Sequence, residues 1–144
     1  MRATMLDTGP VIGFLSQEDE HHAASNAAFQ ASGRRGRKLC TIWEVVGEAY
    51  TLFRMRYAPA RSAGPALAVL RWARESGVEV FQSEEGDHQR AAVLLERYQQ
   101  LRLSYVDALL LAIAERHRVE ELITVDMRHL GAVRLEQRVT LTAV

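Results

Sequence analysis

Apolar residues along this chain fall into two alternating kinds of segment. Ala3-Thr4-Met5-Leu6, Leu39-Cys40-Thr41, Val78-Glu79-Val80-Phe81 and Leu122-Ile123-Thr124-Val125 are short, largely unbroken runs of strand length. Between them lie longer stretches with helical spacing, such as Val45, Val46, Ala49, Leu52 and Phe53 between Ile42 and Tyr57. The first run stops at Asp7-Thr8-Gly9-Pro10, where Pro10 suits the first turn of a short helix through Phe14 and Leu15. Glu18-Asp19-Glu20 predicts the acidic opening of a second helix through Phe29. Pro59 and Pro65 bracket a loop or helix start, and Leu67, Leu70 and Trp72 continue as helix to Gly77. Ser83-Glu84-Glu85 caps a helix reaching Arg102, and Ser104-Tyr105-Val106-Asp107 begins the most apolar helix, ending near His117. Val133-Arg134-Leu135 and Val139-Thr140-Leu141 read as short edge strands.

Strands alternating with helices predict an α/β fold, a three-layer α/β/α sandwich around a central, mostly parallel sheet. In such sheets ligands bind beyond the carboxyl ends of the strands, near a topological switch point. The length of 144 residues suits a single domain, 1–144, and a 48% hydrophobic content supplies a core. Lys+Arg and Asp+Glu both number 18, which argues against a binder driven by bulk positive charge. It leaves room for an acidic pocket beside a basic rim. Cys40 is the only cysteine, which excludes a disulfide framework and a Cys-rich zinc site. The longest clean apolar run, Ala108 to Ala114, is far below the ~20 residues that span a bilayer. No export signal is evident, so a cytoplasmic location without membrane attachment is expected.

Four acids stand where chemistry belongs. Asp7 ends the first strand, Asp126 follows the Leu122–Val125 run, and Asp107 and Glu48 interrupt otherwise apolar helices. Taken singly, Asp7 and Asp107 read as helix caps, Asp126 as a turn former and Glu48 as a solvated helix residue. Taken together they require neutralisation, since two like charges ~4 Å apart repel by about 4 kcal/mol at an effective dielectric of 20. Oxygen ligands without His or Cys suit a hard cation, Mg²⁺ or Mn²⁺. Two such ions form a site for phosphodiester hydrolysis.

These segments carry a resemblance. Thr4-Met5-Leu6-Asp7-Thr8-Gly9-Pro10, Cys40-Thr41 through Val46-Gly47-Glu48-Ala49, Leu103-Ser104-Tyr105-Val106-Asp107-Ala108 and Thr124-Val125-Asp126-Met127-Arg128-His129-Leu130 occur in the order found in PIN-domain ribonucleases. The chain resembles in particular the VapC-type toxins of toxin–antitoxin pairs. The resemblance implies a metal-dependent endoribonuclease holding one or two Mg²⁺ or Mn²⁺ ions on Asp7, Glu48, Asp107 and Asp126, with Thr8 lending a hydroxyl. It also implies an RNA substrate, a small antitoxin that blocks the acidic cleft, and a homodimer.

Glu44 lies one turn before Glu48 on the same face, and Glu48 is preferred because Glu-Ala-Tyr-Thr-Leu resembles the family's run. Ser104 reads as an N-cap that can also bond a carboxylate or phosphate. His129 reads as a loop histidine with a possible RNA contact. Arg34, Arg35, Arg37 and Lys38 form a basic loop that, placed beside the cleft, would track an RNA backbone. The stripes Leu67-Leu70-Trp72 and Leu52-Phe53-Met55-Tyr57 are core, with some members available to a protein partner. Three rival readings stay open: a stand-alone PIN nuclease of RNA processing or turnover, a catalytically inactive PIN-like binding module, and an acid-rich phosphatase. The phosphatase is disfavoured because Lys38 is the only lysine and lies in the basic loop.

Overall fold

In the computed structural model, which describes residues 2–144, five short strands form one sheet. They are β1 (Ala3–Leu6), β2 (Lys38–Ile42), β3 (Glu79–Phe81), β4 (Glu121–Thr124) and β5 (Thr140–Ala143). Their order is β3-β2-β1-β4-β5, and every pairing is parallel. The helices are α1 (Thr8–Leu15), α2 (His22–Arg34), α3 (Trp43–Arg56), α4 (Pro59–Glu75), α5 (Glu85–Arg97), α6 (Tyr105–Arg116) and α7 (Met127–Leu130). Helices α1 to α4 pack on one another, and α5 packs on α6. This is the α/β architecture that the alternating pattern predicts.

β1 and β4 are buried at every position, as central strands of a parallel sheet must be. Met5, Leu6, Ile42, Leu109, Leu110, Ile113, Leu122 and Ile123 are the large, fully enclosed side chains around them. Cys40 is also fully buried, and burial pushes its thiol up to about 12. It is an inert part of the core, not a nucleophile. Among the described residues no helix is long and apolar enough to cross a membrane.

Several boundaries differ from the sequence reading for local reasons. Glu18, Asp19 and Glu20 lie outside α2, because Asp19 makes a turn of its own. Its Oδ1 accepts the His21 amide at 2.8 Å, and its Oδ2 pairs with Arg56 at 2.9 Å. α4 begins at Pro59 and runs on through Pro65. β4 covers 121–124, so Val125 is already outside the strand and 40% exposed. Residues 133–135 form no strand, and the edge is supplied by Thr140–Ala143 alone.

A charged residue sits inside the sheet. Glu121 is 3% exposed, yet every nearby partner suits an ionised carboxylate. It accepts the Thr4 hydroxyl at 2.9 Å and the Thr142 hydroxyl at 2.8 Å, and the guanidinium groups of Arg35 and Arg37 lie 3.6 and 3.7 Å away. This cluster ties the amino ends of β1 and β4, and Thr142 of β5, to the loop that precedes β2.

At the other end of the sheet, the first turn of α1 presses against the residue that leaves β4. A Cβ built on Gly9 would lie 2.6 Å from Cγ2 of Val125. Only a bare backbone permits this approach, which brings the ends of β1 and β4 together. Gly9→Ala is expected to destabilise the fold by roughly 1–3 kcal/mol through overpacking. Val125→Ala in the same chain should recover most of that loss, so urea unfolding of the two single variants and the double variant should be strongly non-additive.

Candidate active site

The carboxyl ends of β1 and β4 are adjacent at the point where the strand order reverses direction, with β2 and β3 to one side and β5 to the other. Asp7 follows β1 directly, and Asp126 stands two residues beyond β4. α3 leaves the end of β2 carrying Glu48, and α6 starts nearby with Asp107 in its first turn. Asp7, Thr8, Glu48, Asp107 and Asp126 line one cleft of about 340 Å³, large enough for a hydrated ion and a phosphate.

Each aspartate is held by a helix start. Asp7 Oδ1 accepts the Thr8 amide at 2.8 Å. Asp107 Oδ2 accepts the Ser104 amide at 2.9 Å, while Ser104 Oγ accepts the Asp107 amide at 3.0 Å, a reciprocal capping box. Asp126 Oδ1 accepts the His129 amide at 3.1 Å. The cap reading of Asp7 and Asp107 thus describes their observed contacts, and Asp126 caps a helix as well. Capping fixes one oxygen of each carboxylate and the positive helix end favours its charge, leaving lone pairs directed elsewhere.

Asp7 is the most constrained of the set. It is 5% exposed, and burial pushes its carboxyl up to about 6. Hydrogen bonds from the Thr124 hydroxyl, at 2.7 Å, and from the Thr8 amide act in the opposite direction. The charges of Asp107 and Glu48 raise it further, so these three acids sense one another across the cleft. Thr8 is 4% exposed, and its Oγ1 is buried without a hydrogen-bond partner.

This donor set fits a divalent cation. It consists of oxygens only, it concentrates like charge in a desolvated place, and it includes an orphaned hydroxyl beside the most buried acid. The cluster is open: among the described residues no three His, Cys, Asp or Glu side chains form a ready cage.

Glu44 takes a different direction from Glu48. Its Oε2 accepts the Ser83 hydroxyl at 3.1 Å, and it does not line the cleft. His129 turns its Nδ1 to Asp126, at 3.0 Å from Oδ2, and is likewise outside the lining. The basic loop requires a correction. Arg34, Arg35, Arg37 and Lys38 precede or open β2 and therefore sit at the amino ends of the strands, a strand length of roughly 13 Å from the acids. Arg37 pairs with Glu120 at 3.0 Å, Lys38 with Glu79 at 3.4 Å, and Arg35 approaches Glu121. The loop is bound into the fold at the end of the sheet opposite the cleft and does not flank it.

The cleft also contains residues that the sequence reading did not place there: Asp19, Glu20, His21, Leu52 and Arg56. Asp19 and Glu20 read as a helix start, and Arg56 carries no signal of its own in the sequence. Only the packing of α1 against α3 brings them to the rim. Arg56, paired with Asp19, is the cation of the lining.

The PIN domain family matches residues 4–134. Ribonuclease VapC26 of Mycobacterium tuberculosis is 25% identical over 132 residues, spanning 90% of this chain and 91% of the relative. In fold, the chain is similar to M. tuberculosis VapC20, described as a sarcin–ricin loop cleaving toxin. The TM-score is 0.78 at 19% identity, over 94% of this chain and 99% of that one. It is also similar to a chain of the DNA-bound VapBC complex of Salmonella typhimurium, with a TM-score of 0.67 at 19% identity, over 99% and 98% of the two chains.

The elevated Asp7 value has a definite sign for stability. The folded protein holds a proton that the unfolded chain releases near 3.8, so Asp7 favours folding below that pH, and the contribution is lost as pH rises to about 6. Wild-type stability should fall by up to about 3 kcal/mol across this window without divalent ions. Asp7→Asn should abolish that component and unfold at higher urea near neutral pH. Mn²⁺ should stabilise the wild type and have little effect on the variant.

Proposed function

The chain belongs to the PIN domain family, and on that premise we propose that it is a metal-dependent endoribonuclease, the toxin of a VapBC-type toxin–antitoxin pair. The carrying observation is the convergence of Asp7, Glu48, Asp107 and Asp126 on one cleft beside the unpartnered hydroxyl of Thr8. The ribonuclease assignment is supported by the name of the curated relative. The toxin assignment is supported by the VapBC complexes among the proteins of similar fold.

On this reading Asp7, Glu48, Asp107 and Asp126 hold one or two Mg²⁺ or Mn²⁺ ions. Bound there, a divalent cation supplies an activated water for in-line attack and neutralises charge gathering on the phosphate. The protein's own part is positioning. Thr124 and the Thr8 amide fix the Asp7 carboxylate, the Ser104 capping box fixes Asp107, and His129 fixes Asp126. Thr8 adds a buried, unpartnered hydroxyl beside the Asp7 carboxylate. Burial of Asp7 and Thr8 keeps this end of the cleft poor in bulk water, which strengthens every charge interaction within it.

The reading extends to partners. A single PIN domain acting on RNA in the cytoplasm would be held inactive by a small antitoxin. Leu52 and Met55 on α3, and Leu67 on α4, are exposed apolar side chains that suit a protein partner. The antitoxin and a second copy of the chain are the two occupants that the resemblance implies.

Purified protein incubated with a mixed RNA pool should cut it in Mg²⁺ or Mn²⁺ and not in EDTA. Asp7→Asn, Asp107→Asn and Glu48→Gln should each lower the rate by roughly 10² or more. Glu44→Gln should keep most of the activity, since Glu44 is directed to Ser83. Absence of both cutting and Mn²⁺ binding would replace the nuclease with a binding module.

A further inference from the structure

Beside the acidic cleft, a chain of side chains joins three helix starts. Ser83 donates its hydroxyl to Glu44 Oε2 at 3.1 Å. The Ser83 oxygen therefore accepts from His88 Nε2, 3.0 Å away. That assigns the ring proton to Nε2 and leaves Nδ1 as the acceptor for the Tyr105 hydroxyl, with which it is in hydrogen-bond contact. The run Tyr105–His88–Ser83–Glu44 thus has one consistent direction. It links the first turn of α6 to α5 and then to α3, one helical turn from Glu48.

The geometry of the two rings is informative. Their planes differ by 14° and their centroids are 5.9 Å apart. A phenol hydroxyl lies in its ring plane, and an imidazole nitrogen accepts in its own. Two nearly parallel rings joined by such a bond lie edge to edge and make one almost flat surface. The tyrosine is 47% exposed, although aromatic side chains normally seek burial. Ser83 follows β3 and Glu44 follows β2, so this run of side chains lies along the carboxyl edge of the sheet, the edge that also carries the acids. Tyr105, two residues before Asp107, is turned away from it and stands outside the cleft lining. No part of the capping or acidic machinery accounts for it.

We infer that Tyr105, held flat by His88, Ser83 and Glu44, is a stacking platform for an unpaired base of the RNA strand, outside the acidic cleft and on the same edge of the sheet. The inference rests on the nuclease reading for the identity of the strand. Bases stack readily on Tyr and His faces, and only an unstacked base presents a free face to them. Specificity for loops, bulges or single strands over duplex follows, because a paired base cannot reach the plate. Tyr105 is a substrate-positioning residue and takes no part in bond cleavage.

The test separates this platform from the chemistry. A short labelled RNA strand containing all four bases, and the same strand annealed to its complement, are titrated with the protein in EDTA and in Mg²⁺. Tyr105→Leu should weaken binding of the single strand about tenfold while leaving duplex binding and thermal unfolding unchanged. Tyr105→Trp should bind the single strand like the wild type, and Tyr105→Phe, which keeps the ring and loses its anchor, should fall between. Where the strand is cut, Tyr105→Leu should raise KM about tenfold with little change in kcat. A wild type that binds through Tyr105 and never cuts would retain the platform while the nuclease reading fails. Equal binding of the strand by Tyr105→Leu and wild type, equal weakening on duplex, or no binding of the strand by wild type would overturn it.

Discussion

Insertion of β1 between β2 and β4, parallel to both, is the constraint on which the rest of this molecule depends. It sends the carboxyl ends of three neighbouring strands to one edge of the sheet, so side chains far apart in the chain emerge together. Thr124 at the end of β4 reaches Asp7 at the end of β1 across 117 positions of sequence. The Thr41 hydroxyl of β2 donates to the Leu6 carbonyl at 2.8 Å, pinning the same end from the other side. Gly9 allows the two central strand ends to close to contact. Without that register the acids are isolated residues on separate elements.

The same register creates a tension. Asp7 is stabilised by two hydrogen bonds and still carries an unfavourable burden from burial and from its acidic neighbours. The other buried acids are satisfied: Glu121 has two hydroxyl donors and two nearby guanidinium groups, and Asp87 is paired with Arg116 at 2.8 Å. One end of the sheet is thus neutralised and rigid, while the other is kept electrostatically incomplete. That asymmetry marks the acidic end as the candidate functional end of the sheet.

Much of this was legible in the sequence because it is encoded locally. Strand-length apolar runs ending in Asp7 and close to Asp126, and an acid in the first turn of the apolar helix at Asp107, need no knowledge of the rest of the chain. What escaped is through-space. The loop at Arg34–Lys38 reads as a free basic patch until β2 is aligned with β1 and β4, when Glu79, Glu120 and Glu121 appear opposite it. Asp19 reads as a helix start until α3 brings Arg56 to it. Glu44 and Glu48 share a helical face in sequence terms, and only the position of Ser83 separates them. His88 and Tyr105 lie 17 positions apart with no shared motif, so their pairing is visible only once α5 and α6 are packed.

The central place of β1 also governs when this protein can exist as a working object during its synthesis. The earliest of the five strands in sequence is the middle strand of the sheet, and one of its two neighbours is β4, more than 110 residues later. A nascent chain lacking residues 121–126 has Asp7 at an open edge with no Thr124 or Asp126 beside it. Helices α1 to α4 can gather early, but the cleft closes only once β4 has left the ribosome. Until β4 and the turn after it have been made, Asp7 lacks the Thr124 hydroxyl that holds it and the cleft lacks the fourth of its acids.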